Sequence, residues 1–237
     1  PVPGILSMAN SINHENPDTI FILPQYNLEE ASLIKGIKAN GAEHLIDMIS
    51  YLTDNLELPA AADLPELIVE SESNFDNHLD FTDVKGQQRA KRALEIAAAG
   101  GHNILMIGPP GAGKTLLAKR IPSILPPLSR EECLDVTRIY SIANLLPKEH
   151  PVINDRPFRT PHHTASAVSI IGGGRVPHPG EVSLATHGVL FLDELPEYHR
   201  DVLESLRQPL EDGMVTVTRA AGAFTFPARF ILAASMN

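Results

Sequence analysis

Gly108-Pro109-Pro110-Gly111-Ala112-Gly113-Lys114-Thr115 is the stretch that decides the fold of this chain, because it fits G-x-x-x-x-G-K-[ST] with both flanks in place. Upstream, Asn103-Ile104-Leu105-Met106-Ile107 is a short apolar run that reads as a buried strand. Downstream, Leu116-Leu117-Ala118-Lys119-Arg120 is built of helix formers. Strand, glycine-rich loop and helix in that order form a phosphate-binding loop. Glycines let successive backbone N–H groups face phosphate oxygens. Gly108, Gly111, Ala112, Gly113 and Leu116 are therefore expected around the phosphates, with Lys114 reaching the terminal ones and Thr115 offering its hydroxyl to Mg2+.

A second apolar run, Val189-Leu190-Phe191-Leu192, ends in Asp193-Glu194. Strands of a parallel sheet covered on both faces read as continuous hydrophobic runs. Acids at the C-terminal end of such a strand lie at the ligand-binding edge. Asp193 suits a magnesium role, and Glu194 suits orienting and deprotonating a water. That second acid favours an ATPase that uses water over a kinase.

At 237 residues the chain suits one large domain or two small ones. It has no signal-peptide pattern and no apolar run of membrane-spanning length, and it reads as cytoplasmic. Cys133 is the single cysteine, which excludes an internal disulfide. The net charge of −10 is divided unevenly: residues 1–83 hold Lys35 and Lys38 against fifteen acids, while 84–237 hold seventeen basic and fourteen acidic side chains. This asymmetry marks a boundary, and 58–80 reads as an acidic linker.

Before it, Thr19-Ile20-Phe21-Ile22-Leu23 reads as a strand closed by Pro24, and 28–39 as a helix stopped by Asn40-Gly41. The abrupt start at Pro1-Val2-Pro3-Gly4 suggests the tail of a larger domain. After the linker, helices are expected over 85–99, from the Ser129/Glu132 capping box to about Asn144, and over 200–210 with a break at Pro209. Val215 to Arg219 and Phe224 to Phe226 flank a turn and predict a hairpin. Phe230 to Ala234 predicts a last buried strand. Strands alternating with helices make this an α/β domain with a parallel sheet.

The order of motifs resembles one family. It runs from Phe81-Thr82-Asp83-Val84-Lys85-Gly86-Gln87, through the phosphate loop, to Phe158-Arg159-Thr160-Pro161-His162-His163-Thr164. Gly172-Gly173-Gly174, Pro179-Gly180-Glu181-Val182-Ser183-Leu184-Ala185, the acidic strand end and Ala233-Ala234-Ser235-Met236-Asn237 complete it. The set resembles the magnesium-chelatase-related AAA+ ATPases of the YifB/ComM-like branch. The resemblance implies a P-loop NTPase core over 81–237, ATP and Mg2+ as cofactors, and a nucleotide held between subunits of a hexameric ring. It implies that Val84 and Gly86 lie by the adenine and that Asn237 helps place the attacking water. It also implies pore loops in which Arg159 and Arg175 contact a polymer, expected to be DNA.

Residues 1–57 resemble the end of a Lon-protease-type domain. Where such a protease has its catalytic lysine, this chain has Ile5-Leu6-Ser7-Met8, so peptidase activity is not expected. The resemblance places an arginine finger and a helical lid beyond Asn237, making 81–237 a core cut before both. His162 and His163 are adjacent, with no spaced partners to complete a metal site. The leading expectation is a ring-forming motor. Its rivals are the ATPase subunit of a metal-inserting chelatase and a nucleotide-gated interaction module.

Overall fold

The computed structural model describes residues 1–53, 57–64, 79–147, 151–174, 177–219 and 222–237. The chain packs as two units. One comprises the described residues of Pro1–Glu70 with those of Cys133–Ile153, and the other those of Ser71–Glu132 and Asn154–Asn237.

In the first unit, helix Ile5–Glu15 precedes strand Phe21–Pro24, which pairs in parallel with Ala39–Ala42. The helix expected over 28–39 ends at Ser32. Gly36 takes φ 81, which ends helical geometry, and Ala39–Ala42 is needed as the parallel partner of Phe21–Pro24. Asn40-Gly41 is therefore part of a strand and not a helix stop. The core gathers Ile5, Leu6, Leu23, Leu28, Leu33 and Ile37. Leu58 and Ala61 are buried here as well, and Ala60 bridges to Asn40. The packing boundary thus does not fall at 57/58. Leu134 and Val152 pack on the same core. One buried acid fastens them: Glu30 accepts hydrogen bonds from the Leu6 N–H at 2.9 Å, from Asn27 Nδ2 at 2.9 Å and from the Ser141 hydroxyl. Ser141 Oγ in turn accepts from the Gly4 N–H at 2.9 Å. A buried carboxylate is tolerated only when so satisfied.

The second unit is built on a sheet in the order Ile104–Ile107, Ile231–Met236, Val189–Leu192, Phe158–Arg159, with every pairing parallel. Val189–Leu192 is buried along its whole length, as its unbroken apolar run requires. Phe191 stacks on Phe158 at 6.0 Å between ring centroids, and Leu94, Leu117, Ile121 and Ala233 close the core. Because the strands run one way, the segments after Ile107, Leu192, Arg159 and Met236 all leave the sheet at the same edge.

The surrounding helices correct two expectations. The helix predicted from Lys85 begins at Gln88, because Gly86 and Gln87 take φ 71 and 54; it stops at Gly101, φ 62. The helix predicted over 200–210 is two, Arg200–Ser205 and Arg207–Asp212, and the break is at Leu206. Pro209 is the third residue of the second, where a first-turn N–H has no partner within the helix to lose. The capping box forms in both directions: Ser129 N–H donates to Glu132 Oε2 at 2.8 Å and Glu132 N–H to Ser129 Oγ at 3.2 Å. The hairpin pairs Met214–Arg219 with Gly222–Pro227. No described helix is long and apolar enough to cross a membrane.

Candidate nucleotide site

Gly111 and Gly113 hold the loop after Ile107 at φ 76 and 85, and a Cβ at either would meet nothing within 4 Å. Glycine is needed there for the backbone turn rather than for lack of space. Gly108 N–H donates to Met236 O at 3.2 Å, tying the loop to the neighbouring strand. The loop leads into helix Lys114–Ala118. Lys114 Nζ donates to Gly108 O at 2.6 Å, Pro109 O at 3.1 Å and Asn237 Oδ1 at 2.8 Å. The last contact joins two residues 123 positions apart.

Thr115 Oγ1 donates to Asp193 Oδ2 at 2.8 Å, and the Ser235 hydroxyl donates to Asp193 Oδ1. Burial pushes the Asp193 carboxyl up, but hydrogen bonds from Ser235, Thr115 and the Glu194 N–H, with the charge of Lys114, hold it below the ordinary carboxylate range. Glu194 follows at φ 54, its N–H directed at Asp193 Oδ1 and Ser235 Oγ at 3.2 and 3.3 Å. Its carboxylate is half exposed and lies 3.6 Å from His163 Nδ1.

The structure thus brings Lys114, Thr115, Asp193, Glu194 and Asn237 to one edge. A lysine ammonium ringed by three oxygens that phosphate oxygens can replace, beside a hydroxyl–carboxylate pair, has the donor chemistry for a Mg2+-nucleotide. Leu116 is largely exposed on the following helix, whereas Val84 is 5% exposed and packed in the core. Gly86 is open above its position.

Three residues escaped the sequence reading. Gln87 Nε2 donates to Ala112 O at 3.2 Å, joining the 81–87 segment to the phosphate loop. Ser235 is buried and holds Asp193. Arg120, 6% exposed, donates to Asp80 O at 2.9 Å and Leu116 O at 3.0 Å and pairs with Asp83 at 3.3 Å. The signal for Ser235 was its place two residues before Asn237 on an otherwise apolar strand.

Arg159 does not stand as the outward cation expected of a polymer contact. Its guanidinium forks onto Glu181, Nε to Oε2 at 2.7 Å and Nη2 to Oε1 at 2.9 Å, so its charge is already matched. Arg175 lies outside the described residues. The His162 and His163 rings lie 4.1 Å apart between centroids with their planes tilted by 36°, and no cluster of three metal-ligating side chains occurs among the described residues.

A parallel α/β sheet with this phosphate loop, this hydroxyl–acid pair and a polar residue ending the intervening strand defines a P-loop nucleotide-binding domain of the AAA+ class. Residues 80–237 match the family described as magnesium chelatase, subunit ChlI, and the chain belongs to that family. It is 46% identical over 240 residues to the competence protein ComM of Haemophilus influenzae, covering 100% of this chain and 45% of that protein. It is 44% identical over 238 residues to YifB of Escherichia coli, again 100% of this chain and 45% of the relative. The chain thus sits in the YifB/ComM-like branch and spans under half the length of these relatives. The magnesium-chelatase 38 kDa subunit of Cereibacter sphaeroides is 24% identical over 174 residues, 66% of this chain and 52% of that one. Among solved structures, a complex of the magnesium chelatase subunits BchI and BchD shares the fold, with a TM-score of 0.52 at 24% identity over 66% of this chain and 54% of that one.

Proposed function

We propose that this chain is the ATP-binding core of a ring-forming AAA+ motor, and that ATP hydrolysis drives movement or remodelling of a polymer, DNA. The observation behind the reading is the pair of long-range links Thr115–Asp193 and Lys114–Asn237, which assemble a phosphate and magnesium site from three strands. Lys114 exchanges backbone carbonyls for phosphate oxygens. Thr115 and Asp193 would hold a Mg2+ ion, which would offset the charge on the phosphates. Asn237 orients the water. In the reaction the water oxygen bonds to the terminal phosphorus, the bridging P–O bond breaks with ADP leaving, and Glu194 takes the water's proton.

DNA is favoured by resemblance to the branch, not by charge, since residues 84–237 are only mildly basic. A chelatase ATPase acting on a partner protein is the second reading, supported by the family match over 80–237. The continuous similarity of residues before 80 to YifB and ComM favours the motor.

The test uses the intact protein. Lys114→Ala removes a charge-assisted bond worth ~1.5–3 kcal/mol and weakens nucleotide binding ~10–100-fold or more. Glu194→Gln keeps Mg·ATP binding and lowers turnover by ~10²–10⁴. Turnover rises when single-stranded or branched DNA is added. Wild-type affinity in Lys114→Ala rejects the nucleotide site, and turnover indifferent to DNA rejects that polymer.

A further inference from the structure

We infer that Gln87 is a positioning residue for phosphate binding: its side-chain amide fixes the Ala112–Gly113 peptide so that the Gly113 N–H faces the phosphates. This rests on the nucleotide reading above. The loop has few N–H groups to offer. Pro109 and Pro110 have none. Gly108 N–H is committed to Met236 O at 3.2 Å, and Ala112 N–H to Pro109 O at 3.2 Å. The N–H groups of Gly111 and Gly113 have no hydrogen-bond partner among the described residues. A trans peptide is planar, with its C=O and N–H directed to opposite sides. A donor that holds the Ala112 carbonyl therefore aims the Gly113 N–H the other way. Gln87 Nε2 is that donor, at 3.2 Å. The Lys114 ammonium takes Gly108 O and Pro109 O, and the Ala112 carbonyl is left to Gln87.

Gln87 stands on a platform tied to the same loop. Its backbone is left-handed at φ 54, and its carbonyl accepts the Lys91 N–H at 2.9 Å, opening the helix Gln88–Gly100. That helix is anchored by Leu94, buried in one core with Leu117 of the phosphate-loop helix. Upstream, Arg120 fastens the start of the segment, donating to Asp80 O and Leu116 O and pairing with Asp83. Glycine or asparagine would take the left-handed geometry with less strain. What glutamine adds at 87 is the reach of its amide, since an asparagine amide, one methylene shorter, falls short of Ala112 O. The family resemblance puts Val84 and Gly86 by the adenine, so the rival role for residue 87 is on the base side. A ligand with phosphates and no base separates the two.

The experiment uses the intact protein and displaces a fluorescent ATP analogue with either ATP or inorganic tripolyphosphate. Gln87→Met keeps the length of the side chain without its donor. Both ligands should bind it about two- to fivefold more weakly, the scale of one exposed neutral hydrogen bond. Gln87→Asn suits the left-handed backbone better but is too short, and it should weaken both ligands to a similar extent. Asparagine thus separates loss of the amide contact from strain in the backbone. Wild-type affinity for both ligands in either variant overturns the inference. Weakened ATP with tripolyphosphate unchanged also overturns it, because residue 87 then serves the base. So does a wild type that binds ATP but not tripolyphosphate, since the loop would then hold no phosphate by itself. A wild type that binds neither ligand overturns the nucleotide reading as well.

Discussion

Asp193 shows how one side chain can report on the whole site. Its carboxyl sits low because three hydrogen-bond donors and Lys114 outweigh its burial. The stability it contributes is present above its unfolded value of about 3.9 and is lost as pH falls through the lower folded value. Thr115→Val deletes one of those donors and, on the proposed function, an oxygen for the metal. Nucleotide binding should weaken about tenfold with Mg2+ present, on the scale of one charge-assisted hydrogen bond, and far less in chelator. Titration of a fluorescent nucleotide under both conditions checks this, and equal weakening would remove Thr115 from the metal site. Tyr198 makes the opposite linkage. Burial, then the charge of Asp193, pushes its hydroxyl up to about 12 from 10.0. The contribution is complete below the unfolded value and is lost as pH rises from about 10 towards the folded one. Tyr198→Phe should remove a late-ionising step from the tyrosinate absorbance titration and flatten the alkaline fall in stability. Loss of a step near 10 instead would place the hydroxyl in ordinary solvent. Lys114 and Thr115 were legible from the spacing of the glycine-rich loop, and Asp193 from its place at the end of an apolar run. Ser235 and Gln87 were not, because the groups they bond to, Asp193 and the Ala112 carbonyl, lie far along the chain.

Elements were legible where chemistry is local and misread where it is not. The capping box from Ser129 and the buried strand Val189–Leu192 depend on a few adjacent residues and appear as expected. The helix over 28–39 had suitable composition, yet it ends at Ser32, the chain turns through Gly36 at φ 81, and Ala39 already belongs to the strand paired in parallel with Phe21–Pro24, which no local pattern announces. Pro209 was read as a breaker, but its position in the first turn is where proline costs least. Close backbone approach is similarly invisible in sequence. Gly188 precedes the acidic strand, and a Cβ there would lie 2.0 Å from Pro157 O, with Val189 N–H bonded to the same oxygen at 2.8 Å. Both sides of the clash are backbone, so Gly188→Ala should destabilise by ~1–3 kcal/mol. Gly100→Ala is the control, since its added Cβ would meet the His102 ring, which can swing aside, within a helix that favours alanine. Thermal melting of both checks the contrast, and equal midpoints would show that 157 and 188 separate at little cost.

At the scale of the molecule, charge and packing divide the chain differently. Charge separates an acidic 1–83 from a mildly basic remainder, whereas packing returns Cys133–Ile153 to the N-terminal unit. Nothing local in the sequence announces this, because an amphipathic helix shows that it has an apolar face without showing what covers it. The cover is specific: Leu134 and Val152 lie on the core formed by Leu6 and Leu28, and Ser141 bonds to Glu30. A chain restricted to 81–237 keeps the whole phosphate-loop sheet and loses every one of those partners. It should still bind Mg·ATP, because Lys114, Thr115, Asp193 and Asn237 are all retained. Its 133–153 segment should lose order, however, since Leu134 and Val152 would face water and Ser141 would lack its acceptor. Cys133 is the reporter, fully buried in the 1–237 chain with its thiol donating to Ile153 O at 3.0 Å. Its reaction with an aromatic disulfide reagent should be slow in 1–237 and approach that of an accessible thiol in 81–237, with binding of a hydrophobic dye rising in parallel. If Cys133 stays protected and no dye binds while nucleotide is still held, the 133–153 segment is covered without residues 1–64, and the charge boundary is the folding boundary after all.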